Sequence, residues 1–167
     1  MQLGYRPDID GLRAVAVLAI VLFHIDVSWV PGGFAGVDIF FVISGFLITS
    51  NIKTSVASGQ FNLADFYVRR VKRLAPALFV MILLTLMAGH FILTPEHLKH
   101  LSMSAVASVL SLANFFFAFA TDTGYFADDS RTLPLLHLWS LGVEEQFYFL
   151  WPLVLAALLA RYRHLTV

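Results

Sequence analysis

An imidazole sits inside a long apolar run. His24 lies near the end of "LRAVAVLAIVLFH" (12–24), and Arg13 stands at the start of that run. Histidine is the commonest general base near neutral pH, and an ionisable group at membrane depth is costly enough to suggest function. Eleven residues separate the two, about three helical turns, so both side chains face the same side roughly 16 Å apart. That geometry suits a long ligand with its anionic end at Arg13 and its reactive end at His24. The other reading is a buried histidine that hydrogen-bonds a neighbouring helix. Asp38 is the expected partner of His24. The two lie seven residues either side of Pro31, so an antiparallel hairpin would bring them to similar depth. A carboxylate there would fix the imidazole tautomer and raise its basicity. Alternatively, Asp38 faces the outer interface. Asp26 is nearer in sequence but points about 200° away around a helix.

Two further clusters carry charge. In "FYVRRVKR" (66–73), Arg69, Arg70 and Arg73 fall three and four residues apart, which predicts one cationic face. Arginine binds phosphate through a planar fork, whereas ordinary anchoring to lipid headgroups is the plainer role. In "HLWSLGVEEQFYFLW" (137–151), Glu144 and Glu145 interrupt an apolar run. His137, Glu144 and Tyr148 share a helical face, and Trp139 and Trp151 bracket the stretch as interface-type aromatics. Both glutamates must face a protein interior or a wet cavity, either to bind substrate or to join helices. His90, His97, His100 and His164 lack convincing ligand spacing, and no metal is expected.

These residues need elements to hold them, and composition says what kind. Of 167 residues, 59% are hydrophobic, 16 are Phe and only 13% are charged, about half the share in a soluble domain. The natural solvent of such a chain is lipid. Net charge is zero, which argues against a nucleic-acid partner, and with no Cys there is no thiolate chemistry. The mixed-charge start, "MQLGYRPDID", predicts no cleavable leader.

Five apolar stretches approach the length of about 20 residues needed to cross the hydrocarbon core. They run near 12–30, 33–52, 74–93, 101–120 and 138–160, and predict an all-α polytopic transmembrane helix bundle. "PGG", "TPEHLKH" and the segment 121–137 read as linkers. Asn62 and Asp65 mark a helix start, and Pro76 should kink that helix as it enters lipid. Gly32 and Gly36, with Ser44 and Gly45, offer small surfaces for close packing. Arg6 and Arg13, and the basic residues from Lys53 to Arg73, place both regions and the amino terminus in the cytoplasm. Five full crossings then conflict with charge: they put the acidic segment 121–137 inside and "RYRH" (161–164) outside, so one stretch could be re-entrant.

In order along the chain, "YRPDIDGLRAVAVLAIVLFH" (5–24), "GGFAGVDIFFVISGFLIT" (32–49), "FYVRRVKRLAPAL" (66–78) and "LLHLWSLGVEEQFYFLWP" (135–152) resemble the signatures of acyltransferase family 3, the O-antigen acetylase-like membrane enzymes. The resemblance implies an integral enzyme of the bacterial cell membrane. Such an enzyme moves an acyl group, often acetyl, from cytoplasmic acyl-coenzyme A to a hydroxyl of an envelope glycan. It places the family's Arg-x10-His motif on Arg13 and His24, its Arg-x-x-Arg motif on Arg70 and Arg73 with Arg69 adjacent, and its glutamate block on Glu144 and Glu145. His24, Asp38 and Glu144 would then act in catalysis, while Arg13, Arg69, Arg70, Arg73 and Glu145 would hold substrate. Family members carry about ten spans of near 20 residues each. Residues 1–167 therefore read as an amino-terminal portion whose partners are further carboxy-terminal helices and the bilayer. The rival readings are a carrier that uses buried His, Asp and Glu, and an inactive fragment.

Overall fold

A computed structural model describes residues 6–25, 27–119 and 133–165, apart from the side chains of 160 and 162–165. Asp26, most of the segment 121–137 and the side chain of His164 lie outside the described residues. Among those described there is no strand. The helices are α1 (Pro7–His24), α2 (Gly36–Ala57, preceded by a 3-10 turn at Gly33–Ala35), α3 (Leu63–Ile92), α4 (Pro95–Val109), α5 (Ala113–Phe119) and α6 (Leu138–Leu165). The all-α expectation holds. The chain forms two compact units, one comprising Met1–Phe61 with Leu150–Val167 and the other Asn62–Phe149.

In the first unit, α1 opens with Pro7 in its first turn and with Asp8 and Asp10 beside the positive end of the helix dipole. Arg6 bonds Asp8 at 2.7 Å and holds that exposed carboxyl down to about 2. Helices α1 and α2 pack antiparallel, because Gly33 meets Ala19 and Phe23 while Gly36 meets Ala16 and Ile20. A Cβ on Gly36 would stand 2.5 Å from the Ala16 carbonyl oxygen, which is backbone and cannot give way. The close contact expected of Gly36 is therefore real. Gly33 shares it, whereas Gly32 meets nothing. Trp151 donates its indole N–H to the Thr49 hydroxyl at 2.8 Å, tying the second half of α6 to α2. An aromatic read from sequence as an interface anchor is thus engaged within the protein.

The second unit holds α3, α4, α5 and the first half of α6 around Ile82, Leu101, Ala105, Phe117, Leu135 and Leu138. Asn62 caps α3 as expected, accepting from the Ala64 and Asp65 amides at 2.9 and 3.3 Å. The helix runs unbroken through Pro76 to Ile92. At about 45 Å it is longer than the hydrocarbon core, so its basic first turns are an extension of the span and not a separate segment.

Among the described residues, three helices are long and apolar enough to cross a membrane: Gly33–Ala57, Leu63–Ile92 and Leu138–Leu159. The expected stretches 12–30 and 101–120 are not among them. Helix α1 carries Asp8, Asp10 and Arg13 in its first two turns. The stretch 101–120 is not one helix. Thr94 caps α4 with Pro95 behind it, so the supposed linker "TPEHLKH" is its first turns. The helix then stops at Ser111, whose φ is 57°. The Leu112 amide bonds the Ala107 carbonyl at 2.7 Å and the Ser111 amide bonds that of Ser108 at 3.1 Å. This is a Schellman C-cap. Gly59, φ 69°, closes α2 with the same pair of bonds. At Ser111 a Cβ-bearing residue occupies the left-handed position, at a cost of about 1–2 kcal/mol. The 15 residues of α4 span about 22 Å, short of the hydrocarbon core, and α5 is described over Ala113–Phe119.

Candidate active site

Helix α1 carries Arg13 and His24 on one face, since eleven residues at 100° each return to within about 20° of the starting direction. Arg13 is half-buried and lies 3.8 Å from Asp10, a loose pairing that leaves its fork available. His24 is the last residue of α1 and is exposed. The span expected over 12–30 thus ends at its imidazole, and the ring is not deep inside a span. The His24 Nδ1 lies 2.8 Å from the Ile20 carbonyl oxygen, one turn back. A carbonyl only accepts, so in the neutral ring the proton sits on Nδ1 and Nε2 keeps its lone pair. The ring also meets Phe23 edge-on at 5.5 Å.

The expected Asp38–His24 pair does not form. Among the described residues no hydrogen bond or ion pair joins them. The register of the two helices is not symmetric about Pro31: Gly33 meets Ala19 and Phe23, and Gly36 meets Ala16 and Ile20, which sets Asp38 against an earlier turn of α1 than His24. Asp38 is exposed in the first turn of α2, where the positive helix end favours a carboxylate. The tautomer that Asp38 was expected to fix is set by the backbone.

The second set lies on α3 and α6. Arg70 Nε donates to Glu145 Oε1 at 3.2 Å, with the two side chains 20% and 26% exposed. Its guanidinium carbon stands 2.9 Å above the centroid of the buried Tyr148 ring, a cation–π contact. Tyr148 in turn donates its hydroxyl to Glu144 one turn back, as their shared face predicts. Arg69, Lys72 and Arg73 are exposed. The basic cluster is therefore two-sided. Arg69 and Arg73 lie about 40° apart, while Arg70 is turned about 100° from Arg69, toward α6. His137 precedes α6 in a turn and is exposed.

Several polar residues went unnoticed in the sequence. Tyr67 donates to the Phe149 carbonyl at 2.7 Å, in the turn where Pro152 removes a backbone donor. Gln146, Asn114 and the Ser111 carbonyl form a network described below. The available signal was three consecutive polar residues, 144–146, in an apolar run. An uncharged amide there drew less notice than the two acids. Among the described residues no group of three or more His, Asp or Glu is placed to hold a metal.

The family model for the acyltransferase domain matches residues 6–166. The chain is 46% identical over 156 residues, 93% of its length, to the peptidoglycan O-acetyltransferase OatA of Listeria monocytogenes, covering 25% of that protein. It is 42% identical over 160 residues, 95% of its length, to the O-acetyltransferase OatA of Staphylococcus aureus, covering 26% of that protein. The chain thus spans about a quarter of the length of these curated relatives. No solved structure matches. The matched region takes in the α1 pair, the α3 arginines and the α6 glutamates alike, and the chain belongs to acyltransferase family 3.

Proposed function

We propose that the intact protein is a membrane acyltransferase that moves an acyl group, acetyl by analogy with its relatives, from acyl-coenzyme A to a hydroxyl of a cell-envelope glycan. The observation that carries this reading is the backbone tether on His24, which leaves Nε2 as a lone-pair base at the end of an apolar helix. Arg13 lies on the same helical face, about 16 Å away.

The chemistry balances with the donor and acceptor alone. Nε2 takes the proton of the acceptor hydroxyl as its oxygen attacks the thioester carbonyl. The C–S bond breaks, and the departing thiolate takes the proton back from the imidazolium. Asp38 adds negative charge at the same end of the α1–α2 hairpin without touching the ring. Arg13, and Arg69, Arg70 and Arg73, are assigned to the phosphates of the donor. Glu145 holds Arg70 by its Nε edge and Tyr148 holds its face, so the guanidinium is oriented before any anion arrives. Glu144, bonded by Tyr148, is the second carboxylate assigned to proton handling.

The setting is the bacterial cell membrane, with the amino terminus in the cytoplasm and donor supplied from that side. Arg6 and Arg13, at the start of α1, support this orientation by the positive-inside rule. A carrier is the second reading, because a helix broken at membrane depth is a transporter feature. Here the broken turn is capped, and its free carbonyl is bonded by Gln146 at 2.7 Å. The test is purified intact protein in vesicles given acetyl-coenzyme A and a saccharide acceptor. Free thiol that appears only when acceptor is present supports the transferase. Solute accumulation without thiol release supports the carrier.

A further inference from the structure

Three consecutive residues of α6 point in three directions, about 100° apart. Glu144 meets Tyr148 on its own helix, Glu145 meets Arg70 on α3, and Gln146 meets the break between α4 and α5. Gln146 Nε2 donates to the Ser111 carbonyl at 2.7 Å and to Asn114 Oδ1 at 2.8 Å. Asn114 Nδ2 donates back to Gln146 Oε1 at 3.3 Å. Both Gln146 amide hydrogens are used and its oxygen accepts, so the side chain has little freedom left. One turn earlier on the same face, Gly142 lies flush on this junction, where a Cβ would stand 3.1 Å from Asn114 Oδ1. These groups are partly buried, and a lost partner would leave the Ser111 carbonyl without its side-chain donor.

We propose that Gln146 is a positioning residue: with Asn114 it clamps α6 to the Ser111 carbonyl and so fixes the rotation at which Glu145 reaches Arg70. Rotation about α6 moves residues 144, 145 and 146 together. A helix held at Gln146 cannot turn Glu145 away from the guanidinium. The functional half of this inference rests on the acyl-transfer reading, and the structural half does not.

Two measurements on the intact protein in lipid nanodiscs separate the halves. The first is amide hydrogen exchange at residues 111–114 and 143–148. Gln146→Leu and Asn114→Leu should each speed exchange there, and the double variant should be no faster than either single one, because both break the same bridge. Additive acceleration, or none, would overturn the clamp whether or not the protein turns over acyl-coenzyme A. The second is a double-mutant cycle on the KM for the donor. Gln146→Leu should raise that KM about tenfold, as expected for a small misplacement of a binding group. In a Glu145→Gln background it should add less than about twofold. The exchanged pair Asn114→Gln with Gln146→Asn keeps the total length of the bridge and should recover most of the lost affinity. An equal KM effect in both backgrounds, with no recovery in the exchanged pair, would show that Gln146 acts only on overall stability. Absence of turnover in the unaltered protein, with exchange behaving as described, would count against the acyl-transfer reading and leave the clamp standing.

Discussion

Replacing His24 with alanine should lower acyl transfer about a thousandfold, within the range of 10²–10⁴ that a positioned acid–base group contributes, while donor binding persists. The ring lies at the end of α1 and makes one hydrogen bond, to the Ile20 carbonyl, so its removal leaves no buried group without a partner. The helix should stay folded, and its melting temperature in detergent should hardly move. His24→Gln is the sharper variant: glutamine can still donate to the Ile20 carbonyl but cannot accept and return a proton at neutral pH. It should be as inactive as alanine. The measurement is single-turnover transfer from radiolabelled acetyl-coenzyme A, with donor affinity followed separately by equilibrium binding. Turnover within threefold of the unaltered protein in either variant would remove His24 from the chemistry.

The second large effect is expected at Arg70. Arg70→Gln should raise the KM for acyl-coenzyme A about tenfold to a hundredfold, the loss expected for a charge-assisted hydrogen bond worth about 1.5–3 kcal/mol. Arg70→Lys should recover little. A compact ammonium can pair with Glu145 but offers neither the second edge of the fork nor the flat face that rests on Tyr148. Lys72→Ala should change KM less than about twofold, because Lys72 is exposed on the other side of the helix. Steady-state kinetics of the four proteins at constant ionic strength would check this. Equal effects at Arg70 and Lys72 would mean that the basic turns of α3 act as a diffuse charge that draws anions to the membrane surface.

Local signals foretold local structure. The Asn62 cap and the shared face of Glu144 and Tyr148 each depend on residues within one turn, and each stands as expected. Failures came where a distant partner decides. The apolar run 101–120 reads as a span by hydropathy, yet it breaks at Ser111, a residue with no intrinsic preference for a left-handed backbone. What supports the break is Gln146, 35 positions away, and no window along the chain connects the two. Asp38 was matched to His24 by counting from Pro31, which assumes a symmetric turn. The register set at Gly33 and Gly36 does not have that symmetry, and the imidazole meets the backbone carbonyl one turn back. Arg70 was grouped with Arg69 and Arg73 because spacings of three and four suggest one face. Such a face spans about 100°, wide enough for one edge to turn inward and meet Glu145.

The central claim is that the chain presents a bare Nε2 on His24. Nitrogen-15 spectroscopy of the intact protein, labelled at its six histidines, reads this directly, with the His24 signals assigned by their loss in His24→Gln. In the neutral imidazole the proton is expected on Nδ1, with Nε2 bare. A ring carrying its proton on Nε2, with Nδ1 bare, would contradict it.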